Sequence, residues 1–329
     1  MEARAYWTVE PGRGEIRTEE IGTPGPGEAL VRTTRSGISR GTESLVHRGE
    51  VPASVRDLMR APFQEGDLPG PVKYGYLSVG VVEQLGSGGD VSRGADLLGR
   101  RVFCLHPHQD AYIVPVQALM PIPDDVPDDR AVLAGAVETA LNAVWDAAPR
   151  YGDRVAVVGG GTIGACIAAL LRQFPLGRLE LIDPDPARAA VAEAFGVRLQ
   201  QPDAAAGDCD VVLHASATEA GLATALRLAG DEAQVLELSW YGDRAPRVDL
   251  GAAFHARRLT IRASQVGRVA AARRTRRTTN DRLALALAEL ADPAYDVLLT
   301  GSCPFEELPD RMDDIATGRC PGLAHVVTY

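Results

Sequence analysis

The residues best suited to chemistry lie between Arg154 and Asp183, RVAVVGGGTIGACIAALLRQFPLGRLELID. Gly159, Gly161 and Gly164 are spaced G-x-G-x-x-G, after the apolar run Val155 to Val158 and at the start of an apolar helical pattern from Ile163 to Leu171. A buried strand that turns sharply into a helix needs residues without a Cβ, and so does backbone that must meet a pyrophosphate closely. Thr162 and Ile163 then open a helix whose free N–H groups and dipole face that phosphate. A second strand, Leu179 to Ile182, ends at Asp183, nineteen residues past Gly164, where a carboxylate can accept both ribose hydroxyls of NAD. A Gly-rich turn alone would account for the glycines. Strand, glycines, helix, second strand and acid in that order specify a dinucleotide site, and the acid repels a 2′-phosphate, which favours NAD over NADP.

Other residues could serve chemistry in more than one way. Cys104, His106 and His108 alternate along one expected strand and so share a face, as metal ligands, as an acid–base histidine, or as ordinary polar packing. Arg268, Arg273, Arg274, Arg276, Arg277 and Arg282 form a dense basic patch, either a solvated face or a hold for an anionic substrate. Ser239, Trp240 and Tyr241 follow an expected strand, so they stand at a carboxyl end of the sheet, where Trp240 and Tyr241 are candidates for lining the nicotinamide or substrate pocket. Ser216, just past the strand Val211 to Ala215, is assigned to the cofactor. Lys73 reads as a solvated or phosphate-facing charge.

Composition narrows the setting. The chain has 329 residues, enough for two domains, with 46% apolar and 24% charged residues, the make-up of an ordinary globular protein. A net charge of −10 argues against a general nucleic-acid binder. No apolar run is long enough for a membrane helix and the N-terminus does not read as a signal peptide, so the expectation is a cytoplasmic protein without membrane partners. Five scattered cysteines suit free thiols better than a disulfide framework.

The elements that would position these residues change character along the chain. Short extended runs at 4–9, 15–21 and 29–34, punctuated by Gly and Pro, suggest a β-rich first region, followed by a polar loop Gly37 to Glu43 and a short helix from Ser54 to Met59. Further strands are expected over 72–85, with a bend or close packing at Gly80, and around His106–Gln109. A helix is expected from Arg130 to Ala148. Beyond it strands and helices alternate, with a helix at 219–228, strands at 234–239 and 259–263, and a helix at 281–290. Such alternation means a parallel sheet with helices on both faces. The tail reads as strand, helix and strand, and its closing VVTY could return to the first region's sheet.

Taken over its whole length the chain resembles the medium-chain dehydrogenase/reductase superfamily, the zinc alcohol dehydrogenase group. The resemblance rests on the P-G-P-G-E turn after Ile21 and on GISRGTESLVHRGEVP, KYGYLSVGVVEQLG, RVAVVGGGTIG, FHARRLTIRASQ and LLTGSCPFEELP. It implies an α/β protein in which a GroES-like β-barrel domain, residues 1–137 with a return segment 266–329, accompanies a doubly wound Rossmann domain, residues 138–265. It also implies a homodimer and a small-molecule substrate. The family's zinc ligands are not matched. Its Cys is Ser39, its G-H-E is Gly75-Tyr76-Leu77, and of the ligands only Glu138 could persist, so the expected metal is none. Leu45 stands where a proton-relay His often sits. The loop G-I-S-x-G-T-E most resembles zinc-less bacteriochlorophyllide-type dehydrogenases.

The resemblance assigns chemistry accordingly. Ser39 and Thr42 form a hydroxyl pair at the reacting oxygen and Tyr76 points its phenol at the same place; His108 is the candidate acid–base on its residue type and position, not by the resemblance. Loop and core packing are the plain alternatives for each. Arg40 is expected at the cofactor pyrophosphate, and Glu138, Trp240 and Tyr241 at the substrate. The function expected is a zinc-independent, NAD(H)-dependent exchange between a secondary alcohol and a ketone. Reduction of an activated C=C bond, or cofactor binding without catalysis, are the alternatives.

Overall fold

The computed structural model describes residues 1–87 and 95–329, and these divide into two compact units. The first comprises Met1–Gly135, Leu287–Ala291 and Leu299–Tyr329, and the second Ala136–Ala286 and Asp292–Leu298. Residues 266–286, expected in the return segment, thus cluster with the second unit.

The first unit opens with β1 (Glu2–Glu10) and β2 (Arg13–Glu20), a hairpin turned at Pro11-Gly12, and the long strand β3 (Glu28–Ile38). A helix, α1 (Thr42–His47), follows directly, so the expected polar loop is partly strand end and partly helix start. The helix expected at 54–59 is a single 3-10 turn, Ala53–Val55, continued by turns. Then come β4 (Glu65–Gly66), β5 (Val72–Lys73), β6 (Ser78–Leu85), β7 (Arg101–Cys104), β8 (Ala111–Pro115), β9 (Met120–Pro121) and α2 (Asp128–Ala131). Gly80 is needed where expected: a Cβ there would run into the Arg32 carbonyl and Val31 across the β3–β6 pairing.

The second unit contains α3 (Ala134–Ala147) from Ala136 onward, then β10 (Arg154–Val158), α4 (Thr162–Leu171), β11 (Arg178–Ile182), α5 (Ala189–Phe195), β12 (Arg198–Gln200), β13 (Cys209–His214), α6 (Glu219–Leu228), β14 (Ala229–Glu237), β15 (Thr260–Ala263) and α7 (Thr279–Glu289) as far as Ala286. Its six strands are all parallel in the order β12-β11-β10-β13-β14-β15. Counted along the chain that is 3-2-1-4-5-6, the doubly wound Rossmann order. Val155, Val157, Val212, Leu213, Val235 and Leu236 fill the sheet, fully shielded on both faces, as continuous β-branched and aliphatic runs demand.

The first unit closes with β16 (Leu299–Pro304), α8 (Leu308–Ala316) and β17 (Ala324–Thr328). The tail returns as expected, with β17 antiparallel to β3 through His325–Thr328 and β16 parallel to β17. The resulting seven-stranded sheet β16-β17-β3-β6-β7-β9, with β8 also on β3, stands with the four-stranded sheet β2-β1-β5-β4 in the GroES-like domain. Among the described residues no helix is long and apolar enough to cross a membrane.

Three readings of the sequence are corrected. The helix expected over Arg130–Ala148 is two, α2 and α3, parted at Val132-Leu133. Arg130, in α2, is buried, and its guanidinium donates to the Leu290 carbonyl at 3.1 Å. Cys104, His106 and His108 do not share a strand face, because β7 stops at Cys104 and Pro107 has no N–H for a ladder. Lys73 is neither solvated nor free: it is 2% exposed and bonds Glu65 at 2.5 Å, Glu19 at 2.8 Å and the Gln109 amide oxygen at 3.0 Å. A buried ammonium requires such partners.

Candidate functional site

The dinucleotide turn is built as its glycines require. Gly159 has φ +104°, and a Cβ there would press on the Ser216 backbone N at 2.7 Å. At Gly164 a Cβ would collide with the Gly159 carbonyl oxygen, so helix α4 can approach β10 only without one. Gly161 differs: a Cβ there would meet nothing within 4 Å. It caps α4 with no side-chain hydrogen bond, so no capping side chain competes for the first N–H groups of the helix that Thr162 and Ile163 open. That is room and polarity for a pyrophosphate, and the residues present fit a dinucleotide. Asp183 stands at the end of β11, its two oxygens held by the Gly160 N–H at 2.6 Å and the Asp185 N–H at 2.8 Å. Lone pairs remain on both for ribose hydroxyls. The guanidinium of Arg188 pairs with Asp185 at 3.2 Å.

A second polar cluster occupies the carboxyl ends of β13 and β14. His214 is fully buried, with Nδ1 at 2.7 Å from Glu237 Oε2 and Nε2 at 2.6 Å from Ser216 Oγ. A carboxylate only accepts, so Nδ1 carries the hydrogen, and in the neutral ring Nε2 accepts the Ser216 hydroxyl. Ser216 is linked in turn to Thr218 Oγ1 at 2.9 Å, which accepts the Gly221 N–H and caps α6. Burial pushes the Glu237 carboxyl up, but bonds from His214 and Ser239 hold it below the usual range. The Tyr241 hydroxyl donates to the same carboxylate at 3.3 Å, while Trp240 is half-buried beside it in sequence. Ser216 and Tyr241 therefore share one network, organised by His214 and Glu237, which sequence reasoning missed. The signal was faint: a histidine ending an apolar strand, two residues before a serine.

In the first unit, Ser39, Thr42 and Tyr76 do come together. The Tyr76 phenol donates to Ser39 Oγ at 2.6 Å. Burial first, then the charge of Glu43, pushes the Tyr76 hydroxyl up to about 12, although hydrogen bonding with Ser39 and Thr42 pulls the other way. Glu43, in the first turn of α1 and 3% exposed, was not singled out from sequence, yet it ties the cluster together. Its Oε1 accepts the Ser39 N–H at 2.8 Å and its own N–H donates to the Ser39 carbonyl at 2.9 Å. Its Oε2 accepts from His108 Nε2 at 2.8 Å. On the far side, His108 Nδ1 lies 2.6 Å from Ser36 Oγ, which lies 2.9 Å from the Tyr329 hydroxyl. His108, 1% exposed and engaged through both nitrogens, faces no solvent and supports Glu43 instead. His106 is elsewhere, stacked on Tyr112 at 3.7 Å between centroids.

The remaining expected residues are engaged in ways the sequence did not reveal. Arg40 donates to the Cys320 carbonyl at 2.5 Å. Glu138 receives Arg282 Nε at 3.0 Å and Nη2 at 2.9 Å, and both side chains are buried. Arg282 is thereby removed from the exposed basic patch. A zinc ion fits the first unit's cluster poorly. Ser39 and Tyr76 offer two hydroxyls already bonded to each other, where zinc takes thiolate or imidazole. Among the described residues no three His, Cys, Asp or Glu side chains converge as metal ligands would.

No protein-family model matches the chain. It is 28% identical over 225 residues to an L-threonine 3-dehydrogenase of Deinococcus radiodurans, covering 59% of this chain and 60% of that protein. It is also 28% identical over 219 residues to an alcohol dehydrogenase of Cupriavidus necator, covering 57% and 60%. The chain thus matches about three fifths of the length of each of these two. Solved structures match throughout: 2R,3R-butanediol dehydrogenase of Bacillus subtilis has a TM-score of 0.77 at 16% identity, covering 99% of both chains. An Escherichia coli alcohol dehydrogenase complexed with NADH has a TM-score of 0.76 at 17% identity, covering 100% of this chain and 99% of that one.

Proposed function

We propose, for a chain similar in sequence to threonine and alcohol dehydrogenases and sharing the fold of the medium-chain type, an NAD(H)-dependent oxidoreductase that interconverts a secondary alcohol and a ketone without a metal ion. The observation that carries this reading is the Tyr76–Ser39 hydroxyl pair, at the two positions where the family resemblance would require an imidazole and a thiolate. When bound, a nicotinamide dinucleotide supplies the hydride acceptor or donor. Gly159, Gly161, Gly164, the first turn of α4 and Asp183 would hold it, with Ser216 on the neighbouring strand end. Asp183 is the ground for NAD over NADP.

Tyr76 stays protonated at neutral pH, because its hydroxyl is held near 12. In the reductive direction the Tyr76 hydroxyl turns from Ser39 to the carbonyl oxygen and donates first a hydrogen bond and then its proton; hydrogen bonds from the Ser39 and Thr42 hydroxyls stabilise the phenolate left behind, and solvent water reprotonates it. Oxidation runs the same path backwards, with Ser39 and Thr42 stabilising the transient phenolate. Glu43 fixes the Ser39 backbone, and His108 fixes Glu43. A protonated tyrosine also suits reduction of an activated C=C bond, which needs a proton source next to a conjugated carbonyl, so an enone panel belongs beside the alcohol panel.

The test is steady-state turnover of the purified protein on secondary alcohols, ketones and enones with each cofactor. Tyr76→Phe should lower kcat about 100-fold while leaving the NADH dissociation constant unchanged. Unchanged turnover would remove Tyr76 from the chemistry, and activity lost to a chelator would remove the metal-free reading. The same reading carries a small-molecule substrate, a cytoplasmic setting and a homodimer, the last checked by sedimentation.

A further inference from the structure

Arg273, Arg274, Arg276 and Arg277 are all exposed, and among the described residues none of the four makes an ion pair. Several other cations of the same unit do, although among the described residues Arg150, Arg227, Arg244, Arg247 and Arg268 do not. Arg154 pairs with Asp208 and Asp210, Arg172 with Asp292, Arg262 with Asp146, and Arg282 with Glu138. In a chain of net charge −10, four adjacent uncompensated guanidinium groups repel one another with carboxylates in plentiful supply elsewhere. Arg273, Arg276 and Arg277, with Ala272, line a concavity of about 420 Å³.

The loop is held in shape. The Ala270 carbonyl accepts the N–H groups of Arg273 at 2.8 Å and Arg274 at 3.1 Å, and the Arg273 carbonyl accepts those of Arg276 at 2.9 Å and Arg277 at 3.0 Å. Beneath it, the buried Arg282 donates to the carbonyls of Val266 at 2.6 Å and Arg268 at 3.4 Å, and the Asn142 amide oxygen accepts the Ala270 N–H at 2.9 Å. At the far end Asp281, which feels the charge of Arg277, turns Oδ2 to the Thr278 N–H at 2.8 Å and hydroxyl at 2.9 Å. A buried ion pair is costly to assemble, and this one anchors the root of an exposed cationic loop.

We infer that this loop is a binding site for a small polyanion, a molecule carrying two or more phosphate or carboxylate groups, separate from the glycine turn. Guanidinium forks match such groups bidentately. The concavity has the volume of a small-molecule site, and the acidity of the whole chain opposes nucleic acid.

The probes are inorganic pyrophosphate and tripolyphosphate, titrated calorimetrically into protein saturated with NAD⁺ so that the glycine turn is occupied. Saturable binding is expected, tighter for tripolyphosphate and weakening as salt rises. Replacing Arg273, Arg276 and Arg277 together by Ala should weaken it at least tenfold without moving the unfolding midpoint. The triple Lys variant, keeping charge but not forks, should fall between, and Arg13→Ala should change nothing. Equal affinity in the triple Ala variant and the wild type overturns the site. So does binding of a poly-glutamate peptide with none of either phosphate, or a variant whose sole change is oligomeric state. The wild-type-against-variant difference reads the loop whether or not the redox reading holds.

Discussion

At His106 the ring lies against Tyr112 with Nδ1 3.0 Å from the Pro107 carbonyl, only 5% exposed. Burial pulls its pKa down to about 3, with Lys73 and His108 adding to the effect against the Pro107 bond. The unfolded chain binds that proton near pH 6.5 while the folded one refuses it until about 3. Stability is therefore full above pH 6.5 and declines as pH falls through that window, by on the order of 3 kcal/mol at pH 4. Denaturant titrations at pH 7 and pH 4 check this, and His106→Phe, which keeps the stack, should shrink the difference. At Glu43 the prediction concerns structure and chemistry together. Glu43→Gln replaces the charged acceptor of both the Ser39 N–H and the His108 ring, and should cost about 2 kcal/mol. If Glu43 positions Ser39, kcat should fall while KM for cofactor holds; a loss of stability with full kcat would leave it purely structural. Glu43 and His214 were hard to see in the sequence for one reason. Each joins a partner close in sequence, Ser39 or Ser216, to one far along the chain, His108 or Glu237, and no spacing records the second.

Elements were legible where a period or a terminal signal lay within a dozen residues, as in α6, found at its expected bounds, and in β10, α4 and β11. They were not where tertiary contact overrode local preference, as at Val132, where the backbone of β3 at Gly37 approaches closely enough that a Cβ would sit 3.1 Å from the valine's own. The turn from β10 to α4 gives a paired prediction. Gly164→Ala drives a methyl into the Gly159 carbonyl, so the unfolding midpoint should drop and cofactor affinity with it. Gly161→Ala has an ordinary φ of −69° and open space, so stability should hold while NAD⁺ affinity falls at least tenfold. Stable Gly161→Ala with unchanged affinity would place the pyrophosphate elsewhere. Between α3 and α7, Arg282→Met alone leaves the Glu138 carboxyl buried and uncompensated, its pKa already raised by burial despite Arg282, and should cost about 3–5 kcal/mol. Glu138→Leu with Arg282→Met should recover much of that loss, and denaturation of the four proteins of the cycle measures the coupling.

For the molecule as a whole, the topology was readable because it follows from alternation: βα repeats force parallel strands and a right-handed crossover, while Gly and Pro punctuation forces short antiparallel ones. What alternation could not give was the set of polar partners in each unit, and that set decides whether the chain relies on a metal. Cofactor and metal act on stability by mass action, so they can be separated without knowing the substrate. NAD⁺ at a hundred times its dissociation constant should stabilise the protein by about 2.7 kcal/mol. For a unit of this size the midpoint then rises by about 5–10 °C. On the proposed placement of Asp183 at the ribose, NADP⁺ at the same concentration should raise it less. On the metal-free reading a chelator such as EDTA should shift neither the midpoint nor the NAD⁺ increment, because Ser39 and Tyr76 offer hydroxyls where zinc takes thiolate or imidazole. A midpoint lowered by EDTA and restored by zinc would mean that a metal contributes to the folded state, and the tyrosine-centred chemistry would have to give way.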